Sequence, residues 1–289
     1  MIKIMVDKAA DIEKDVANEL GIEVLPFIIN VGDESIVADI NLDTESFYEK
    51  VEAASSVPTT SQMSPNDLEK CYRRLAADGS SVIYISISAN ASGINNTANL
   101  VARELNDEGF DITVVDSTMF SSAIGYPAIE AAKLAQNNAS KEEILSYLTE
   151  TFNRDSVYFM VDDLTFLKKG GRIKATTMVI GSMLDIKPIL MIKDGLVEAY
   201  KKVRGTKKAL SILCGYVEER MENPSENEVL ILHSRATENL ETLTKMIEDK
   251  VHPAKISTGN VGPVITSHAG LGVIGVYFKH KESYKNYVS

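Results

Sequence analysis

The sequence predicts an α/β protein of two domains, and three observations support this prediction. Short β-branched runs alternate with helically spaced segments through the first half of the chain, which is typical of βα units around a mostly parallel sheet. From about Asp155 strands follow one another closely, and Asp194-Gly195 between two of them indicates a hairpin. A length of 289 residues fits two domains of ordinary size. We therefore expect an N-terminal α/β domain over 1–155 and a C-terminal α+β domain over 156–289.

In the first domain, apolar runs rich in Val and Ile predict strands, and a 3.6-residue apolar spacing predicts helices. The predicted strands are Ile2–Val6, Glu23–Ile29, Val82–Ser86 and Ile112–Asp116. Several of the predicted helices have a Ser or Thr placed to cap the first turn. These helices are Thr44–Ala54, Ser64–Asp78, Ser92–Leu105, Ser121–Gln136 and Ser140–Phe152.

In the second domain the same criteria predict two helices among strands. The helices are Thr206–Met221 and Thr237–Asp249, and three further strands are expected after them. The other strands are Val157–Val161, Ile189–Ile192, Leu196–Val203 and Val229–His233. No linker rich in Pro, Gly or Ser separates the two domains. We therefore expect them to pack tightly, with a ligand tunnel between them.

Composition excludes several classes of function. Forty-one acidic against 30 basic side chains give a net charge of −11, which disfavours nucleic acid as a partner. The two cysteines, Cys71 and Cys214, cannot form a disulfide framework or a paired-cysteine zinc site. The acidic first residues do not fit a secretory signal. Two uncharged stretches of 23 residues, 80–102 and 256–278, are too polar for membrane spans, so we expect a cytoplasmic protein.

One glycine motif matches a nucleotide-binding pattern in its letters only. Gly270-Leu271-Gly272-Val273-Ile274-Gly275 has the spacing of the dinucleotide fingerprint. That fingerprint needs a following helix and an acidic residue about 20 positions further on, whereas 273–278 reads as a strand. The sequence also has no phosphate-binding loop, nucleophile elbow or paired-histidine motif. We therefore predict no cofactor, no metal and no catalytic residue.

Three neutral segments rich in hydrogen-bonding groups lie at predicted turns. They are Pro58–Pro65, Ser86–Gly93 and Val264–Gly270. A helix N-terminus and a hydroxyl near Ser92 suit an anionic oxygen. Each segment also has a plainer interpretation: a capped turn at 64–65, an N-cap at Ser92 and a hydrogen-bonded core histidine at His268. Both interpretations stay open at this point.

Taken together, these segments resemble the DegV family. Similar motifs occur in family order from end to end: 6–12, 58–65, 88–93, 164–173, 187–190, 204–209 and 266–272. Departures from the family pattern occur at Lys8, where the family usually has Ser, at 94–96, at Gly205 and at Leu271. The first and last of these lie near the expected site.

The resemblance implies a fatty acid held in a tunnel between the domains, with its carboxylate at an opening. Family members of this kind are the binding subunits of bacterial fatty-acid kinases and present the acyl chain to a separate ATP-binding subunit, which makes acyl phosphate. The matching positions for the carboxylate are Thr60, Ser61, Ser92, Gly93 and His268. Those for contact with the kinase are Arg172, Arg204 and Lys207, although a basic run is also typical of a solvated face.

An apolar stripe is the candidate lining for the acyl tail, since methionine adapts to chains of varying shape. Its members are Met178, Ile180, Met183, Leu184 and Ile189, and the same stripe would also serve as an ordinary core face. Two other functions remain open. The chain could be a self-sufficient phosphotransfer enzyme resembling dihydroxyacetone-type kinases, with His268 carrying a covalent group, or a lipid-sensing regulator. Transient membrane contact is also left open. We favour a non-catalytic lipid-binding subunit.

Overall fold

The computed structural model describes residues 1–174 and 186–283, and the chain divides into two compact units. Unit 1 consists of 1–43, 58–152 and 262–264, and unit 2 of 44–57, 153–261 and 265–289. The predicted boundary after residue 155 lies close to the division after 152, but residues 44–57 group with unit 2. Tyr48 explains this grouping, because its hydroxyl donates to the Val261 carbonyl at 2.6 Å.

The elements follow one another along the chain with short connections. The strands are β1 (Ile2–Asp7), β2 (Glu23–Leu25), β3 (Phe27–Val31), β4 (Glu34–Ala38), β5 (Thr59–Ser61), β6 (Ser81–Ser86), β7 (Ile112–Asp116), β8 (Asp155–Met160), β9 (Ile186–Lys193), β10 (Leu196–Arg204), β11 (Glu228–His233), β12 (Lys255–Asn260) and β13 (Ile274–Lys279). The helices are α1 (Lys14–Leu20), α2 (Thr44–Ala53), α3 (Pro65–Ala76), α4 (Ile94–Asp107), α5 (Ser122–Gln136), α6 (Lys141–Arg154), α7 (Thr165–Gly170), α8 (Thr206–Arg220), α9 (Thr237–Lys250) and α10 (Pro263–Ala269).

Unit 1 is built on a parallel sheet, as the sequence predicts, and the order of its strands is β2-β1-β6-β7. Within its inner strand β6, Val82 to Ile85 form a fully buried apolar run, as is typical of parallel strands covered on both faces. The predicted strand Glu23–Ile29 is instead two strands. Pro26 lacks an N–H group and interrupts the ladder. As a result β2 joins the parallel sheet, while β3 pairs antiparallel with β4 and β5.

Unit 2 is built on a six-stranded sheet with the order β10-β9-β8-β13-β11-β12. Only the β11/β12 pair is parallel. The predicted β9–β10 hairpin is confirmed, and its turn residues Asp194 and Gly195 have φ values of 50° and 71°. The two-residue hairpin turn that Asp-Gly favours requires a positive φ at both of its central residues. Helices α8 and α9 pack on this sheet and close an apolar core.

The end of unit 2 corrects one prediction. Of the three strands expected there, the middle segment forms helix α10 instead. Pro263 at its first position fits a helix start, and a short apolar run cannot be assigned to strand or helix by periodicity alone. Strand β13 follows the glycines, as predicted, where the dinucleotide fingerprint would have a helix. Gly270 and Gly272 instead allow a backbone conformation that other residues rarely adopt, since their φ values are 79° and 81°.

No helix in the described part of the chain is both long enough and apolar enough to cross a membrane.

Candidate ligand-binding site

Polar groups are concentrated at the carboxyl edge of the parallel sheet in unit 1. Strands β1, β6 and β7 end there, and ligands of open α/β sheets bind at this edge. Buried polar side chains lie on these strand ends and on the loops that follow them: Asp7, Ser86, Ser88, Ser117 and Ser121. Burial of a polar group is costly unless the group is hydrogen-bonded. We therefore expect specific hydrogen bonds to hold the polar side chains at this edge of the sheet.

Asp7 joins the end of β1 to the loop after β6. Its carboxylate accepts the Tyr84 hydroxyl at 2.9 Å, the Ile87 N–H at 2.9 Å and the Ala9 N–H at 3.1 Å. Burial raises the pKa of Asp7 to about 6, although these three hydrogen bonds favour the charged form. The loop that leads to Ser92 is therefore fixed directly against β1.

The loop between β6 and α4 forms a tight turn around Ser88. The N–H groups of Ala91 and Ser92 both donate to the Ser88 carbonyl at 3.0 Å. Helix α4 begins at Ile94, two residues later than predicted, and the Ser92 hydroxyl accepts the Ile94 N–H at 3.4 Å. Within the described residues, neither the Ser92 hydroxyl proton nor the Gly93 N–H has an acceptor. This turn therefore offers two donors at the positive end of a helix.

Gln62 connects this turn to the segment that carries Thr60. Strand β5 pairs with β3 so that Thr60 lies opposite the fully buried Ile29. The Gln62 amide donates to the Thr97 hydroxyl on α4 at 2.7 Å. A Cβ added to Gly93 would lie 2.9 Å from Gln62 Oε1, so the Gln62 side chain packs directly on the turn. The structure thus brings the predicted 60–61 and 92–93 segments together.

Thr60 and Ser61 do not share a face of β5. Thr60 is half-buried, whereas Ser61 is exposed, as expected from the alternation of side chains along a strand. Gln62 was not among the site residues predicted from the sequence. The signal available for it was an amide between the hydroxyls of Pro58–Pro65, but nothing in that pattern shows that the amide contacts α4.

Asp11 and Ser121 hold the neighbouring loops in strained conformations. Both have positive φ values, 51° and 57°, which are costly for residues other than glycine. The Ser121 hydroxyl donates to Asp11 Oδ2 at 2.5 Å, and the Gly262 N–H donates to the same oxygen at 2.9 Å. Burial raises the pKa of Asp11 to about 6, partly offset by these two donors and by the charge of Lys8. Such strain is typical of functional sites.

His268 lies on α10 in unit 2, beside Gly170 at the end of α7. A Cβ added to Gly170 would lie 2.7 Å from His268 Nδ1, so the imidazole packs against the α7 backbone. Burial, together with the charge of Arg172, lowers the pKa of His268 to about 4. At neutral pH the ring is therefore uncharged and carries a single N–H donor.

The three predicted partner-binding residues have different surroundings within unit 2. Arg172 is half-buried and donates to the Gly170 carbonyl at 2.5 Å, which places it beside His268. Its own carbonyl accepts the N–H of Val197 near the start of β10. Arg204 ends that strand, roughly 23 Å further along at about 3.3 Å per residue. Arg204 and Lys207 are exposed, and within the described residues neither has an ion-pair partner.

The predicted acyl-tail residues fall largely outside the described ranges. Met178, Ile180, Met183 and Leu184 lie in 175–185, which the structure does not describe. Ile189 is fully buried on β9 and belongs to the core cluster of unit 2. Among the residues that are described, no group of three His, Cys, Asp or Glu side chains is placed to hold a metal ion.

The fold and the site define an α/β protein that offers hydrogen bonds to a small polar group. A family model described as "Uncharacterised protein, DegV family" matches residues 1–281. A DegV domain-containing protein of Clostridium perfringens is 35% identical over 281 residues, covering 95% of this chain and 96% of the relative. The chain belongs to the DegV family, which confirms the resemblance seen in the sequence.

Solved structures of the family share the whole fold. A DegV family protein of Thermus thermophilus, described by its fatty acid binding, superposes with a TM-score of 0.87 at 30% identity, covering 96% of this chain and 99% of that one. DegV of Bacillus subtilis, described as a fatty acid binding protein, gives 0.82 at 30% identity and covers 97% and 99%. The expected two-domain α/β fold is confirmed.

Proposed function

We propose that this protein binds a long-chain fatty acid and presents its carboxylate to an ATP-dependent kinase subunit. The observation that carries the proposal is the contact of Gln62, which lies on the segment of Thr60, with Gly93 and Thr97, which lie on the turn and helix that follow Ser92. The relatives from Thermus thermophilus and Bacillus subtilis, each 30% identical, are described as fatty acid binding. Their likeness supports the same ligand class here.

The proposed carboxylate ligands are neutral donors. The hydroxyls of Thr60 and Ser92 donate to its oxygens, and the Gly93 N–H and the start of α4 add a favourable dipole. Ser61 belongs to the same segment. Donors of this kind orient the carboxylate and leave an oxygen able to act as a nucleophile. That oxygen attacks the γ-phosphorus of ATP on the partner, the bond from phosphorus to the ADP oxygen breaks, and acyl phosphate and ADP result.

His268 is proposed as a further donor to the carboxylate. Its low pKa keeps it neutral, so one ring nitrogen donates a hydrogen bond without forming a fixed ion pair. The acyl-tail assignments of Met178, Ile180, Met183, Leu184 and Ile189 remain proposals.

Gly170→Ala is expected to weaken fatty-acid binding about tenfold. The new methyl group would lie 2.7 Å from His268 Nδ1, so the imidazole must leave its position. Loss of one hydrogen bond to a charged group corresponds to about 1.5 kcal/mol, which is roughly a factor of ten. The measurement is a binding titration with hexadecanoic acid.

Gly215→Ala is the matched control, since it also adds a methyl group to a helical glycine. Nothing lies within 4 Å of its added Cβ. It should bind the fatty acid as the parent does and gain slightly in stability, because alanine favours helix. Unchanged binding by Gly170→Ala would remove His268 from the site.

Arg204→Ala is expected to keep fatty-acid affinity within twofold and to lower acyl phosphate formation at least tenfold. Arg204 is exposed at the junction of β10 and α8, where it is available to a partner. The assay combines the loaded protein, a bacterial ATP-binding fatty-acid kinase subunit and ATP, and traps acyl phosphate as the hydroxamate with hydroxylamine. Lys245→Ala, which removes an exposed cation on α9, is the control.

Other outcomes of this assay separate the alternative functions. Equal turnover by Arg204→Ala and the parent would show that Arg204 does not contact the kinase. Acyl phosphate formed from ATP without any partner would favour a self-sufficient enzyme. A loaded protein that yields no acyl phosphate with the kinase subunit would favour a lipid-sensing regulator.

A further inference from the structure

We propose that Asn95 is a positioning residue that holds the Ser92–Gly93 turn in place for the ligand carboxylate, and this inference rests on the fatty-acid-binding function proposed above. Asn95 lies in the first turn of α4, two residues after Gly93, and is 6% exposed. Asparagine is mostly exposed in proteins, and burial of an amide is costly unless the amide is hydrogen-bonded. An apolar side chain would fill an interior position without that cost. The hydrogen bonds of Asn95 therefore indicate what the amide does there.

The Asn95 amide connects the first turn of α4 to the carboxyl edge of the parallel sheet. Its Nδ2 donates at 2.7 Å to the hydroxyl of Ser86, the fully buried last residue of β6. The Ser86 hydroxyl in turn donates to the Val115 carbonyl on β7 at 3.3 Å. One side chain thus ties the start of the helix to the ends of two strands. The contact of Gln62 with Thr97, by contrast, holds α4 from the β5 segment.

Asn99, one turn further along α4, fixes the orientation of the Asn95 amide. The Nδ2 group of Asn99 donates to Asn95 Oδ1 at 3.0 Å and to the Asn95 carbonyl at 2.9 Å. Because Oδ1 accepts from Asn99, Nδ2 is the group that faces Ser86. Both ends of the buried amide are therefore hydrogen-bonded, and its orientation is held from two sides.

The start of α4 needs an anchor of this kind because it is weakly capped. Gly93 occupies the N-cap position and has no side chain to accept a hydrogen bond from the first turn. The Ser92 hydroxyl accepts the Ile94 N–H at 3.4 Å, which is long for a hydrogen bond. Weakly held helix ends fray, and the donors of the turn would then lose their fixed positions. The bond from Asn95 to Ser86 keeps the turn in place before a ligand arrives.

The placement of this turn matters because its proposed ligand contacts are hydrogen bonds from Ser92 and Gly93 to a charged group. Such bonds weaken steeply when the donor moves out of line, and transfer of a phosphoryl group also requires an aligned carboxylate oxygen. Asn95 acts through the turn and is not itself a ligand of the carboxylate. A neutral lipid of the same length makes no charge-assisted hydrogen bond at the turn, so its affinity should depend little on Asn95.

The test compares an acid with a neutral analogue. Asn95→Ala should raise the Kd for hexadecanoic acid at least fivefold and leave the Kd for hexadecan-1-ol within twofold of the parent. At a saturating concentration of the acid, the variant should form acyl phosphate at least tenfold more slowly with ATP and a bacterial fatty-acid kinase subunit. Asn96→Ala is the matched control, because it makes the same change at the next residue of α4, which is exposed. It should change none of these values.

Ser86→Ala removes the other half of the same contact and is the second variant, should Asn95→Ala not fold. It should show the same selective loss of affinity for the acid. A protein that carries both substitutions should lose no more affinity than the more affected single variant, because two changes to one hydrogen bond are not additive.

Four results would contradict the inference, and they can be told apart. If both single variants bind the acid and form acyl phosphate as the parent does, Asn95 does not position the turn, although the fatty-acid function stands. If acid and alcohol lose affinity equally, the amide has a packing role only. If the losses of the two single variants add in the double variant, they do not act through one contact. If the parent binds neither lipid, the proposed function and the role of Asn95 both fail.

Discussion

A variant carrying both Thr60→Val and Ser92→Ala is expected to lose at least a hundredfold in affinity for a long-chain fatty acid. Each substitution removes a hydroxyl that donates to the ligand carboxylate in the proposed site. A hydrogen bond to a charged group contributes about 1.5–3 kcal/mol, so two together correspond to a factor of roughly 10² to 10⁴. The measurement is a titration of delipidated protein with hexadecanoic acid.

The fold should survive this double substitution. Valine has the shape of threonine and favours a strand, and Ser92 precedes the first residue of α4. Thr59→Val is the matched control, because Thr59 is the exposed neighbour of Thr60 on the same strand. The control should bind like the parent. A double variant that also binds like the parent would exclude the two hydroxyls as ligands.

Gly125→Ala is expected to have the largest effect on stability. Gly125 lies in the first turn of α5, and an added Cβ would lie 2.4 Å from the Ala10 carbonyl oxygen and 3.1 Å from Ile12 Cγ1. The carbonyl belongs to the backbone and cannot move aside as a flexible side chain can. Overpacking of this kind costs about 1–3 kcal/mol, and the contact with backbone places Gly125 at the upper end.

The loss should appear as a lower midpoint of unfolding, followed by circular dichroism. Residues 8–10, which include Ala10, form a short 3-10 turn. Gly215→Ala, in which the added methyl meets nothing within 4 Å, should unfold at or above the midpoint of the parent. A Gly125→Ala protein as stable as the parent would show that α5 can move away from the 8–10 turn.

Much of the fold could be predicted because buried segments and tight turns have residue patterns that can be recognised locally in the sequence. Strand β6 is apolar from Val82 to Ile85, since both of its faces are covered. The turn between β9 and β10 follows from the backbone preference of Asp194-Gly195. Pro26 interrupts a strand that otherwise reads as one run. Helix α10 was predicted as a strand because a short segment such as Val264-Ile265-Thr266 does not reveal its period.

The site could be predicted less completely, because it depends on contacts between distant segments. The segments of Thr60 and Ser92 were recognisable as hydroxyl-rich turns, and the resemblance to the DegV family assigned these two residues to the carboxylate. The contact through which the Gln62 amide joins their segments is made with Thr97, which is 35 positions away. No local sequence pattern indicates such a contact. Likewise the proximity of Arg172 to His268 follows from the packing of α7 against α10, so the basic run alone could not separate Arg172 from Arg204.

The most direct test of fatty-acid binding is native mass spectrometry of the purified protein, followed by organic extraction and identification of what is released. Burial of about 14 methylenes at about 0.8 kcal/mol each is on the order of 11 kcal/mol before the costs of association, which is enough for retention through purification. We predict a mass excess of one long-chain fatty acid per chain. Protein that carries no lipid and takes up no added fatty acid would contradict the proposed function.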